Sequence, residues 1–457
     1  MKKLVLSYAA ILISSSVFAQ HNLGIANNNW ASINGIYLNP ANIAESRELK
    51  AITIAGMSYG ADNNAGALIA SAGFRVAVGD GKSNNMFRYD NNSRVSMMAP
   101  YMNITGPSIM LRLDKNNSIA FTSRIRAMNQ FNDFDQTLFR SLNDPSYVPT
   151  ENSQNTLKNF VYTLNLWSEV GFTYAGVLYN KGAHKLKFGA TLRYLGGIAY
   201  VALEGRNMDV RFTKDNNEFY ASNVDLTYMS NMLNTRNAQG NDISKGFINA
   251  VSNGNFGRGM GGDLGLVYEY RPADSKKTER YKSRFSLALC DVGSIVYSEK
   301  VSTNERISGA GNLKGSNIIT NVKNFENMRS YVRINKFDAE VFNERVKLNM
   351  PARLMFASDL HLQKEYYLNF SFLCNLANRQ VLGNSYYNQF AITPRYEVKK
   401  MSIGIPLTYS TLSNSFKAGV GMFYKGFFLG SDDMLALVSR RQYGLNLYGG
   451  INMLIYK

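Results

Sequence analysis

The chain has only three histidines and two cysteines in 457 residues, so side-chain chemistry would have to be assembled from few parts. His361 is the best placed of them. It stands two positions after Asp359, and in an extended strand that spacing puts both side chains on one face. A carboxylate beside an imidazole can orient a general base, but acyl transfer also needs a nucleophile within hydrogen-bond reach and an oxyanion site. No Ser stands in a recognised elbow, so polar packing is the expected role of the pair and no catalytic residue is assigned. His21 falls at the start of the exported chain and His184 in a tight turn. Cys290 and Cys374 lie on strands separated by one other strand, about 10 Å apart and beyond the reach of a disulfide, so both are expected to be free, buried thiols. With no His or Cys at ligand spacing, neither a metal nor a cofactor is expected. Gly257–Gly265 begins a strand rather than following one, which is wrong for a phosphate loop.

The ionised residues say more, because they alternate with apolar ones. Lys187, Thr191 and Arg193 oppose Leu186, Phe188, Leu192 and Tyr194, and Asp263, Glu269 and Arg271 oppose Leu264, Leu266, Tyr268 and Tyr270. Extending this parity collects Arg112, Arg124, Arg126, Glu169, Lys187, Arg193, Asp263, Glu269, Arg271, Arg284, Arg353 and Asp359 on one face. Their mixed signs predict a cross-strand ion-pair lattice rather than a single-sign filter. Such a lattice would brace the wall; guiding a polar or amphipathic ligand is the functional alternative.

About fourteen strands position these side chains, in an all-β chain whose connections switch between long and short. The segments run Ala51–Tyr59 (short and weak), Tyr101–Leu113, Ser118–Phe131, Tyr162–Tyr179, Lys185–Leu203, Met260–Arg271 and Ser283–Tyr297. They continue with Leu348–Leu362, Tyr366–Leu376, Tyr387–Val398, Met401–Thr411, Ser415–Tyr424, Phe427–Leu429 and Tyr443–Tyr456. The loops are expected to hold a helical turn around Phe134–Leu142, a small hairpin of Val210–Thr213 with Val224–Tyr228, and helix around 323–345. Long loops on one side and tight turns on the other fit a transmembrane antiparallel β-barrel of the outer membrane, its apolar face to lipid and its charged face to the lumen. Lys2, Lys3, the apolar run Leu4–Ile13 and Val17-Phe18-Ala19 read as a signal peptide over 1–19. Residues 20–49 then form a hatch-like plug segment and 50–457 the barrel, with both termini on the tight-turn, periplasmic side.

Composition agrees. Tyr (28) and Phe (26) are abundant enough to supply aromatic girdles, and Pro is scarce. Fifty Lys and Arg against 33 Asp and Glu give a net charge of +17. Export argues against nucleic acid as the partner of that charge. Outer-membrane lipid and the phosphates of lipopolysaccharide are the expected anionic partners, with scattered solvated lysines as the plain alternative.

Asn39-Pro40-Ala41, placed between the signal and the first strand, resembles the N-terminal segment of FadL-type barrels. Further along, Gly106-Pro107-Ser108, Trp167-Ser168-Glu169, Gly262-Asp263-Leu264-Gly265, Asp291-Val292-Gly293, Met350-Pro351-Ala352 and Tyr448-Gly449-Gly450 are similar to a family of uncharacterised Bacteroidota outer-membrane proteins related to them. The FadL-type resemblance implies fourteen strands, an N-terminal hatch containing Asn39, Pro40 and Ala41, and transport of a small hydrophobic or amphipathic compound. The same superfamily includes PorV-like barrels, which implies the alternative of a scaffold subunit with an envelope protein partner in a cell-surface or type IX secretion complex. Residues 20–49 lack the strongly apolar stretch that would point to a greasy internal pocket.

Overall fold

Strands of alternating polarity pair edge to edge until the sheet closes on itself. The computed structural model describes residues 22–68, 87–90, 92–143, 147–149, 152–157, 159–214, 218–231, 256–272, 281–314, 333–437 and 443–456. The export signal expected over 1–19 lies outside them. The wall consists of β1 (Glu48–Asn63), β2 (Arg94–Thr105 continued by Ser108–Arg112), β3 (Ser118–Asp135), β4 (Phe160–Lys181), β5 (His184–Gly205), β6 (Gly257–Tyr270) and β7 (Ser283–Tyr297). It continues with β8 (Val346–Asn349 and Arg353–Gln363), β9 (Tyr366–Asn375), β10 (Gln389–Val398), β11 (Met401–Gly404 and Leu407–Ser410), β12 (Ser415–Ala418 and Val420–Tyr424), β13 (Phe427–Asp433) and β14 (Gly444–Tyr456). The result is a closed antiparallel barrel of 14 strands. β1 closes it against β14, from Glu48↔Tyr456 to Asp62↔Gly444.

β1 is longer than the weak segment expected. Glu48–Lys50 and Gly60–Asn63 are poor strand formers alone, but β14 and β2 flank them on both sides and their ladder bonds enforce the extended backbone.

Parity sorts the two faces. Val170, Phe172, Leu192, Leu264, Leu287, Phe356 and Ile392 are exposed on the outside, and an apolar surface this continuous belongs in lipid rather than water. Outward Tyr179, Tyr268, Tyr366, Tyr396 and Tyr424 gather near the tight turns as an interfacial girdle.

Beyond the long-loop end, Ser153–Leu157, Met208–Phe212, Glu218–Ser230, Thr303–Lys314 and Phe337–Phe342 extend the sheet. Their inner face (Val210, Phe212, Phe219, Val224, Ile307, Phe337) packs with Phe134, Leu138, Phe139 and Phe160. The expected helical turn is present as Gln136–Asn143. The expected hairpin forms with a different register: Val210 pairs Ala221, while Val224 pairs Gly309 of the neighbouring strand. Of the helix expected around 323–345, Arg333 and Ile334 are helical, whereas Phe337–Phe342 is corrected to a strand paired with Asn304–Gly309. Its ladder to a neighbouring strand outweighs a weak local helical pattern.

Candidate functional site: a lumen sealed by a hatch and an ion lattice

Residues 22–47 fill the tight-turn half of the lumen. Asn39 shows why its local sequence folds as it does. Its backbone is extended, its side-chain oxygen accepts from the Ala41 N–H at 2.8 Å, and Pro40 follows at the first position of the short 3-10 turn Pro40–Ile43. The Asn39 amide then donates to two wall carbonyls, Leu266 O at 3.0 Å and Leu287 O at 3.2 Å. The wall makes room with two glycines. A Cβ on Gly265 would lie 2.0 Å from Asn39 Oδ1, and one on Gly189 would lie 2.4 Å from the backbone of Pro40 and Ala41. The triplet is thus at once a cap and a wedge seated in a glycine notch of β5 and β6.

Isolated isoleucines anchor the rest. Ile33, Ile36 and Ile43 pack with Ala51, Met110, Ala120 and Ala175 of the wall. Ile25 packs with Phe423, Phe428 and Tyr448. Single apolar residues spaced along a polar segment do the work of the apolar stretch that the sequence lacks.

Buried charges on neighbouring strands pair with one another. Glu169 accepts from Arg124 at 2.5 Å and Arg126 at 3.1 Å, and Asp291 accepts from Arg126 at 3.0 Å, Arg124 at 3.1 Å and Arg353 at 2.8 Å. Arg193 pairs with Asp263, and Lys187 with Glu269 at 2.7 Å. Near the tight turns, Asp359 holds Arg395 through both oxygens at 2.8 and 3.0 Å and takes Arg284 at 3.4 Å. These carboxylates and guanidinium groups are buried. Desolvation at such sites is repaid only by complete pairing, so loss of one member leaves its partner stranded.

The lattice also grips the hatch. Arg353 donates to Tyr37 O at 2.9 Å, Arg284 to Asn27 O at 2.6 Å and Arg112 to Ser46 O at 2.9 Å. Lys185 pairs with Glu45 at 2.6 Å. Glu397 accepts from Asn29, and Asp432 from the N–H groups of Leu23 at 2.9 Å and Gly24 at 3.2 Å.

A second plug enters from the other side. The connection between β9 and β10, residues 376–388, folds inward and reaches across to β3. Ser385 and Gln130 exchange hydrogen bonds at 2.8 and 2.9 Å, Tyr387 donates to Asn132 at 2.8 Å, and Asn384 packs into the same junction. Tyr386 accepts from Arg126 at 2.6 Å and lies under Arg353, 4.7 Å from its guanidinium. The four-arginine cluster therefore sits between two plugs and touches both. Two small cavities lie on opposite sides of the hatch: about 30 Å³ bounded by Asp62, Tyr101, Lys417 and Asp432, and about 20 Å³ bounded by Asn28, Asn29, Glu48 and Arg284.

Of the charged residues singled out from sequence, all but Arg271 stand on wall strands; Arg271 lies one residue past β6 at the turn rim, half-buried. Sequence reasoning missed three members. Asp291 breaks parity because it sits in a bulge at φ 56, beside Gly293, so that Cys290 and Asp291 both point inward. Arg395 and Glu397 were legible, as they alternate with Ile392, Pro394 and Tyr396. His361 is buried, stacks on Tyr367 at 4.7 Å and donates to Lys364 O at 2.7 Å, while Asp359 is taken up by arginines. Both cysteines are free; Cys290 is buried against Leu38 O, and Cys374 is half-buried.

A closed antiparallel barrel with an apolar exterior, a polar filled interior and an internal plug is a transmembrane β-barrel of the outer-membrane type. Residues 40–432 match a family of unknown function, DUF5723, and the chain belongs to that family. No curated protein matches the chain. Similar solved structures include the toluene transporter TbuX of Ralstonia pickettii, 13% identical over 92% of this chain and 91% of that one, TM-score 0.39. The toluene transporter TodX of Pseudomonas putida is 10% identical over 93% and 94%, TM-score 0.42. A FadL homologue of Pseudomonas aeruginosa is 10% identical over 96% of each chain, TM-score 0.40.

Proposed function

We propose that this barrel admits small hydrophobic or amphipathic compounds across the outer membrane, with residues 22–47 as a displaceable gate. The observation that carries the reading is the buried, methionine-rich cluster beyond the hatch. Met98, Met128, Met229 and Met355 pack there with Tyr101, Trp167, Tyr200 and Tyr297. Methionine-rich surfaces repack around varied apolar shapes. Fully buried Asn165, opposite Met128 and Tyr200 of this cluster, has both amide atoms unpartnered, a recognition point for one polar group on an otherwise apolar ligand. The hatch below is held by hydrogen bonds and ion pairs, which can exchange for water. Residues 1–19 are read as a signal removed on export, both termini as periplasmic, and lipopolysaccharide as a neighbour of the long loops. Uptake of a small apolar probe into cells carrying the chain, compared with deletion cells, tests the transport reading; equal uptake would overturn it.

A scaffold in a cell-surface or secretion complex is the second reading. The sheet over the long-loop end favours it, since its outer face presents Arg211, Tyr220 and Arg306 to solvent. Recovery of a stoichiometric envelope protein in mild detergent is its test.

A further inference from the structure

Among the described residues, charge is not spread evenly over the two ends of the barrel. Among the described residues, lysine stands at or beside each of the six connections at this end: Lys115, Lys181, Lys282, Lys364, Lys399–Lys400 and Lys425. All but Lys400 are exposed. Among the described residues of these turns the exposed carboxylate is Asp114. Its oxygens are taken by the N–H groups of Asn116 and Asn117 and by the Asn117 amide, which also hold its carboxyl below the usual carboxylate range. The long-loop end mixes signs instead, with Arg211, Lys214 and Arg306 beside Glu218, Asp338 and Glu340.

Backbone geometry gives an independent sign that the lysines matter as charges. Lys364, Lys400 and Lys425 occupy left-handed positions, at φ 50, 61 and 50. Asn or Gly sits there at less cost; at the opposite end one lysine, Lys336, does the same at φ 69, while the tight turn there uses Asn414, at φ 50. The lysines also continue the tyrosine girdle. Lys181 follows Tyr179, Lys364 precedes Tyr366, Lys399 follows Tyr396 and Lys425 follows Tyr424. Along the backbone each lysine thus stands one to three residues, about 3 to 10 Å, nearer the turn than its tyrosine, and the Lys425 ammonium lies over the Tyr424 ring, 5.0 Å from its centroid. Tyrosine rings settle at the headgroup level and lysines beyond them reach the phosphates.

We propose that the tight-turn rim is a ring-shaped binding surface for the phosphates of anionic phospholipids in the leaflet it borders. The ring anchors the barrel at a set depth, and this role is independent of what crosses the lumen. Negative surface potential attracts such lysines and decays within a Debye length.

The test reconstitutes the full-length barrel in vesicles of phosphatidylcholine with a minor fraction of phosphatidylglycerol and measures association of spin-labelled forms of each lipid with the protein. The wild type should prefer phosphatidylglycerol roughly fivefold, the effect of about one headgroup contact of this kind. Combined Lys115→Gln, Lys181→Gln, Lys364→Gln, Lys399→Gln and Lys425→Gln should remove the preference. Combined Arg211→Gln, Lys214→Gln and Arg306→Gln at the other end should leave it. Equal association of both lipids with the wild type would overturn the proposal. So would a preference that survives in the rim variant but falls in the long-loop variant, as expected if lipopolysaccharide phosphates were the ligand. If the rim variant does not fold, the wild type decides the matter: its preference must collapse at about 0.5 M salt, and persistence there overturns the assignment.

Discussion

Arg353 ties the wall to the hatch: one of its nitrogens donates to the Tyr37 carbonyl at 2.9 Å while another pairs with Asp291 at 2.8 Å. The same guanidinium lies over the Tyr386 ring of the inward loop. One side chain thus holds both plugs. Arg353→Met should leave Asp291 Oδ2 without its arginine, while Arg124, Arg126 and Arg193 still pair with Oδ1. With Tyr37 also released, stability should fall by about 1 to 3 kcal/mol. Urea unfolding in detergent measures the loss, and limited proteolysis should show faster cleavage within 22–47.

Asp291→Asn tests the lattice from its anionic centre. Arg124, Arg126, Arg193 and Arg353 all reach that carboxylate. Without it, four guanidinium groups share only Glu169 and Asp263. The loss should exceed that of Arg353→Met, at about 3 to 5 kcal/mol, and high salt should recover little because the site is buried.

Gly189→Ala should unseat the hatch without touching a charge. The added methyl would meet the Pro40 and Ala41 backbone at 2.4 Å, and backbone cannot swing aside as a side-chain tip can. Electrical recordings in planar bilayers should show more open events than the wild type.

Asn39→Ala removes the donor to Leu266 O and Leu287 O together with the cap on Ala41 N. The expected cost is about 1 to 3 kcal/mol. Asn39→Asp keeps the cap acceptor but not the donor, so it should fall between the wild type and Asn39→Ala in protease resistance of the hatch.

Much of this was legible in the chain because the barrel imposes one rule, parity, on every strand. Arg124, Glu169, Arg193, Asp263 and Asp359 obey it, and all five are buried. Asp291 escaped it because a bulge shifts the register by one residue, and no local composition announces on which side the extra residue falls. The inward path of 376–388 was equally silent. Its Asn, Ser and Tyr residues suit a solvated loop as well as a buried one, and only partners over 250 positions away, such as Gln130, select the inward fold. The Asn39-Pro40-Ala41 wedge was recognisable as a triplet, but the glycine notch that receives it comes from two strands far apart in sequence.

The chain carries its own reporter of hatch position. Cys290 is 1% exposed and its thiol donates to Leu38 O of the hatch at 3.4 Å, whereas Cys374 sits half-buried on another strand. In a Cys374→Ser background, the rate of Cys290 labelling by a water-soluble maleimide measures how often the hatch leaves its seat. A displaceable gate predicts slow labelling in the parent and at least tenfold faster labelling with Arg353→Met or Gly189→Ala, roughly the effect of weakening the seat by 1.4 kcal/mol. Labelling that stays equally slow in both variants, with the barrel still folded, would contradict the gate.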